Sequence, residues 1–434
     1  MQDKISIFWF RRDLRLSDNH GLFQALEAGI PVLPIFIFDT DILSQLENKR
    51  DKRLDFIVQA LQVLNTFLEK SGSSIAFFEG KPLDIFKELS EKYAVEKIYC
   101  NEDYEPYAIK RDREIQEFLK QKNIEFESFK DQVHFHKDEI LKADGTPYTV
   151  FTPYSRQWLL KFDAQNIENY PSEKLLGNLM KVDKQDISVE KFGFIKTKYQ
   201  FQAPEIKEEV LRKYDETRNF PTAETSHMSV HLRFGTVSVR KLSSVASDLN
   251  QTYLKELIWR EFFMQILYHF PKVVHESFKN KYDQIPWRFG EEELQKWQAG
   301  KTGFPLVDAG MRELNETGFM HNRVRMVCAG FFTKHLLMDW RIGEAYFAEK
   351  LLDYDLSANN GNWQWSAGSG CDAAPYFRIF NPDSQQKKFD PEFKYVKKWV
   401  KEFGTKDYTK PMVEHAFARQ RALETYKKGL SEDL

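Results

Sequence analysis

ISIFWFRRDLRLSDN, residues 5–19, decides how the first third of the chain is read. An almost wholly apolar run cut short by a charged turn fits a strand covered on both faces, since a half-solvated strand would alternate. The same device recurs at PVLPIFIF (31–38), SIAFF (74–78), KIYC (97–100) and IEFESF (124–129). Helical patterns lie between these runs, after Asp18, at about 51–70, after Pro82 and at about 106–122. Five apolar runs separated by helices predict a doubly wound parallel α/β domain over residues 1–130. The turn after the first run holds no glycine, so it is not the Gly-rich cradle of a nicotinamide dinucleotide.

Beyond residue 130 the pattern changes twice. From 131 to 204 the periodicity weakens around DGTPYTVFTPYSRQW (144–158), which predicts a long interdomain connection. From 205 to 434 amphipathic segments near 225–234, 238–249, 251–270, 304–317, 320–338, 342–352 and 412–428 predict an all-α domain. The 434 residues are enough for two cores. A net charge of −2 exerts no global pull on nucleic acid, so DNA binding requires a local basic surface. Three scattered cysteines, with no histidines at ligand spacing, predict no disulfide framework and no metal site. They fit a reducing, cytoplasmic compartment. No stretch reaches the ~18 apolar residues of a membrane span.

At 15% the aromatic content is high, and one polar stretch concentrates it: DYDLSANNGNWQW, residues 353–365. Its Asn-Asn-Gly-Asn run predicts a helix end opening into a loop. Carboxylates and amides there can fix the polar edge of a flat ring system, and indoles offer π-surface and an oxidisable group. Helix 251–270 places Glu256, Trp259, Arg260 and Phe263 on one face. An i,i+4 pair with Arg260 is the plain structural reading of Glu256; hydrogen bonding to the edge of a base-like ligand is the functional one. Helix 320–338 puts Asn322, Arg325 and Met326 on one face with Arg323 turned about 100° away. One of its arginines is expected to meet Asp353 or Asp355. ETSHMSVHLRFGTVS (224–238) places Thr225 and Ser226 at a helix start with Ser229 one turn on, either as ordinary caps or as an anion site for a pyrophosphate. Trp287, Trp340 and Trp363 lie too far apart for spacing to arrange them.

Taken in order, WFRRDLRLSDN (9–19), KELIWREFF (255–263), KTGFPLVDAGMRELNETGFMHNRVRM (301–326), DYDLSANNGNWQW and PYFRIFNP (375–382) make the chain resemble the photolyase/cryptochrome flavoprotein family, most like a class I cyclobutane pyrimidine dimer photolyase. The resemblance implies an antenna-type domain over 1–130 and a FAD-binding catalytic domain over 205–434. It implies FAD held by Tyr214, the TSHMS run Thr225, Ser226, His227, Met228 and Ser229, Tyr253, Arg260, Asn322, Arg325, Asp353, Tyr354, Asp355 and Asn359, with Asn359 facing flavin N5. UV-damaged DNA would meet Arg218, Glu256, Trp259, Phe263, Asn322, Arg323, Met326 and Trp365. Glu256, Asn359 and Met326 would serve the reaction itself, in which the light-excited reduced flavin donates an electron to the flipped-out dimer. Trp363, Trp340 and Trp287 would relay electrons to the flavin, proximal to distal. A monomer without metal is implied.

Departures bear on cofactors. His227 stands where the family usually has Arg, Tyr253 where Trp often stands, and Phe263 where Tyr is common. DYEPYAIKRD (103–112) lacks the Asn-Glu pair of folate-binding members, so folate, deazaflavin, a second flavin or none remain open as antenna. The alternative is a cryptochrome-type photoreceptor, including the DASH type acting on single-stranded DNA; plant-type members usually carry Asp at position 359 and a long C-terminal extension. A (6-4) photolyase would carry histidines at 322 and 326. A non-catalytic nucleic-acid-binding module retaining the flavin is the reading from another class.

Overall fold

Each apolar run of the first 130 residues becomes a strand: β1 (Lys4–Phe10), β2 (Val32–Asp39), β3 (Ala76–Gly80), β4 (Ala94–Asn101) and β5 (Glu125–Phe129). The structure, a computed structural model, describes residues 4–164 and 168–431. The strands form one parallel sheet in the order β3-β2-β1-β4-β5. Parallel neighbours need long crossovers, which the helices His20–Glu27, Lys52–Leu68, Pro82–Lys92 and Pro106–Gln121 supply. The central strand β1 is buried from Ile5 onward, and β2 is buried throughout, as expected of strands covered on both faces. Gly21 lets the first helix lie on the sheet: its backbone N–H donates to Asn101 Oδ1 at 2.9 Å, where a Cβ would come within 2.8 Å of that same oxygen.

The chain divides into two compact units whose segments interleave along the sequence. One comprises the chain up to Ile140, Gln157–Ile206 and His227–Asp248; the other comprises Leu141–Arg156, Lys207–Ser226 and the chain from Leu249. The 131–204 stretch carries a helix at Phe151–Ala164 and short 3₁₀ turns, while its residues 165–167 fall outside the described residues. Helix Val239–Leu249 joins the sheet unit through buried charge: Arg240 reaches Asp18 at 3.0 Å and Asp131 at 2.9 Å, and Arg15 reaches Asp131 at 2.7 Å. Two guanidiniums sharing two carboxylates meet the condition under which buried charge is tolerated.

The second unit is helical, with Gln251–His269, Pro305–Thr317, Asn322–Gly330, Trp340–Lys350, Leu356–Ala367 and His415–Ser431 as its main elements. The single helix expected over 320–338 is α-helical to Gly330, turns π-helical over Phe331–His335, and ends before Leu337 at φ +55°. Its core gathers Trp297, Phe332, Trp340, Phe347 and Trp363, with Trp287 packed against the rim. Among the described residues no helix is long and apolar enough to cross a membrane.

Candidate functional site

DYDLSANNGNWQW does not open into a loop: Leu356–Ala367 is a continuous α-helix through all three asparagines and Gly361. Local propensity opposes this, and tertiary hydrogen bonds override it. Asp355 caps the start, accepting from Ala358 N at 3.1 Å. Asn360 Nδ2 donates to Val273 O at 2.9 Å, and Asn362 Nδ2 to Ala358 O at 2.7 Å. Gln364 Nε2 reaches Val273 O, Glu276 O and Asn360 Oδ1, while its Oε1 accepts from Phe278 N at 2.8 Å. Gly361 has a packing reason, because a Cβ there would stand 2.2 Å from the Phe263 ring.

This helix presents Asn359 and Trp363 on the buried side. Asn359 Nδ2 donates to the main-chain O of Glu344 at 3.1 Å and to its Oε1 at 2.8 Å. Burial pushes the Glu344 carboxyl above the ordinary carboxylate range, and the Asn359 bond opposes that rise. Just ahead of the helix, Asp353 is nearly buried and takes Arg325 Nη2 at 2.9 Å, so the arginine expected to find an aspartate is Arg325. Arg323 instead donates to Asn219 Oδ1 at 2.6 Å and lies over the Phe389 ring at 4.6 Å.

Helix Gln251–His269 packs directly against helix Leu356–Ala367. Glu256 pairs with Arg218 at 2.6 Å, not with Arg260 as the i,i+4 spacing suggested, because YDETR lies against this face. Burial raises the Glu256 carboxyl's pKa, and the Arg218 charge and hydrogen bond only partly offset it. Trp259 stacks face to face on Phe151 at 3.7 Å and 6°, and tilts against Phe263 at 5.4 Å. Tyr214 and Tyr253 meet edge to face at 5.0 Å, and the Tyr253 hydroxyl shares a hydrogen bond with Ser226 Oγ at 3.0 Å. Burial pushes the Tyr253 phenol up to about 12. Asn322 is exposed one turn from Met326, its Nδ2 3.9 Å from the sulfur. Arg260 and Tyr354 are half-buried, and Trp365 lines a small pocket with Lys334, Arg378 and Phe380.

Thr225 and Ser226 do not start a helix. It begins at Met228, with His227 as its cap at φ +50° and no side-chain cap bond, so Ser229 sits in its first turn. Thr225 Oγ1 is buried and, among the described residues, meets no hydrogen-bond partner. The predicted relay tryptophans gather in and around one core: Trp363 and Trp340 are members, and Trp287 packs against it. Sequence reasoning missed Trp297, fully buried with its ring 6.3 Å from Trp363, as well as Phe151, Asn219 and Glu344. None lies in a motif that marks it.

Known proteins are similar to this chain over nearly its whole length. The family described as DNA photolyase matches residues 6–173, and the FAD binding domain of DNA photolyase matches residues 253–406. The chain belongs to the DNA photolyase family. A deoxyribodipyrimidine photo-lyase from Synechococcus sp. is 33% identical over 97% of this chain and 96% of its own length. Among solved structures, a bacterial class III photolyase from Agrobacterium tumefaciens superposes with a TM-score of 0.87 at 31% identity, covering 99% of this chain and 98% of that one. An archaeal photolyase from Sulfolobus tokodaii, solved with two FAD molecules, superposes with a TM-score of 0.85 at 33% identity, covering 98% of this chain and 100% of that one.

Proposed function

We propose that this protein repairs cyclobutane pyrimidine dimers in UV-damaged DNA with blue light and a bound FAD, acting as a cytoplasmic monomer. The observation that carries the reading is Glu256: a carboxyl made costly to ionise by burial, on the helix face of Trp259, in a chain similar over its whole length to photo-lyases. From this face Glu256 hydrogen-bonds the polar edge of the flipped dimer and stabilises the charge it gains. Trp259, Phe263 and Trp365 give the lesion flat walls, and Asn322 and Met326 line its edge. Arg218 and Arg323 offer charge to the strand backbone; burial first, and then the neighbouring charges of Arg218 and Arg378, lower the pKa of Arg323, which places these three cations near one another in a chain of net charge −2.

The residues also suit the cofactor. Thr225 Oγ1 is a buried hydroxyl still to be satisfied, Asn359 Oδ1 accepts from no described donor, and Arg325 with Asp353 forms a charged pair beside Asn359's helix. Tyr214, Thr225, Ser226, Tyr253, Arg260, Tyr354 and Asp355 also belong to the set assigned to FAD. When bound and reduced, FAD supplies the light-driven electron and recovers it after ring opening. Trp363, Trp340 and Trp287 carry electrons inward to restore the reduced state. A second chromophore in the sheet unit, folate, deazaflavin or flavin, belongs to the same reading; the Sulfolobus photolyase with two FAD molecules supports a flavin.

Glu256→Ala is expected to lower the quantum yield of dimer splitting several-fold while changing affinity for damaged DNA by less than about threefold. An unchanged yield would remove Glu256 from the reaction. Trp363→Phe is expected to abolish photoreduction of oxidised flavin yet spare repair by chemically reduced protein; normal photoreduction would refute the relay.

A further inference from the structure

We propose that Glu344 is a positioning residue that decides which end of the Asn359 amide is offered to the cofactor, turning Nδ2 away and leaving Oδ1 as an acceptor. The inference rests on the reading that FAD lies against Asn359.

Gly343 has no room for a side chain, since a Cβ would fall 2.2 Å from Cη2 of Trp363, so helix Trp340–Lys350 lies directly on the indole. This close approach brings the main-chain carbonyl of Glu344 within 3.1 Å of Asn359. A carbonyl oxygen can only accept, so it draws the amide nitrogen toward itself, and the side-chain bond is what fixes the amide in that orientation. The Glu344 carboxylate takes the second amide hydrogen at 2.8 Å. Both donors of Asn359 are thereby spent on one residue of the neighbouring helix. What remains is Oδ1, on a residue 8% exposed, with no donor reaching it among the described residues.

An amide so held is an acceptor toward whatever lies beyond it. It favours a cofactor nitrogen that carries a hydrogen, as the reduced ring does, over one that carries a lone pair. A free amide would rotate and serve either, so Glu344 biases the site toward reduced cofactor without touching it. No part of the sequence marks this, because Glu344 sits in RIGEAY, outside every stretch that carries the family resemblance.

The test uses the FAD-loaded protein and two kinds of variant. Glu344→Gln removes the charge but keeps a side-chain carbonyl to accept from Asn359. Glu344→Leu removes charge and acceptor while keeping bulk, and Glu344→Ala repeats the loss without it. Because all three remove the same charge, differences among them report the hydrogen bond. The one-electron reduction potential of bound FAD is expected to be lower in Glu344→Leu and Glu344→Ala than in Glu344→Gln, by about tenfold in the equilibrium constant or about 59 mV. In an Asn359→Ala background this difference should vanish. Equal potentials in the three variants, with FAD content matching wild type, would overturn the inference while leaving the cofactor reading intact. Wild-type protein that takes up no FAD would overturn the cofactor reading, and this inference with it.

Discussion

Helices Gln251–His269 and Leu356–Ala367 pack against each other, with Gly361 of one against Phe263 of the other, yet they are stabilised in opposite ways. The first is written into its own sequence. Asn250 caps it, accepting from the N–H groups of Thr252 and Tyr253 at 3.0 and 3.1 Å, and strong helix formers follow. The second is built from residues that disfavour helix and is held by Val273, Glu276, Phe278 and Glu344 outside it. The difference teaches where polar side chains can be spent. A helix whose backbone is secured by its neighbours is free to carry asparagines at buried positions, and one of these, Asn359, is the group proposed to face the cofactor.

The contrast can be broken most severely at Gln364. Gln364→Leu leaves the carbonyl of Glu276 and the N–H of Phe278 without their side-chain partner, at about 1–3 kcal/mol for each buried group left unsatisfied. A loss of roughly 3 kcal/mol in urea unfolding of the FAD-free protein is expected, with tryptophan fluorescence as the probe. A loss below about 0.5 kcal/mol would mean that the helix stands on its own. The smaller effect lies at the other helix. Asn250→Ala should cost about 1 kcal/mol, the ordinary price of a lost cap, and leave FAD content unchanged. If the cap mutation proved the costlier of the two, the comparison would be reversed.

The same contrast explains what could be read from the chain alone. The sheet was legible because each strand is a local run bounded by charge and each crossover is a local helix. Arg325 with Asp353 was legible because two arginines on one helix require an acid and an acidic stretch stood nearby. Leu356–Ala367 was misread because its support comes from residues some 80 to 90 positions earlier, beyond any window of periodicity. The partner of Glu256 was missed for a related reason: Arg260 is near in sequence, but Arg218 is the one that reaches it in space. The interleaving of the two units is also non-local, since it rests on buried pairs such as Arg240 with Asp18 across 222 residues.

One measurement bears on the central claim most directly. Reduced, FAD-loaded protein is mixed with a UV-damaged thymine oligonucleotide and divided between blue light and darkness, and thymine absorbance is followed. Absorbance is expected to recover in the light and not in the dark. Equal traces in light and dark, with FAD bound and reduced throughout, would contradict light-driven repair.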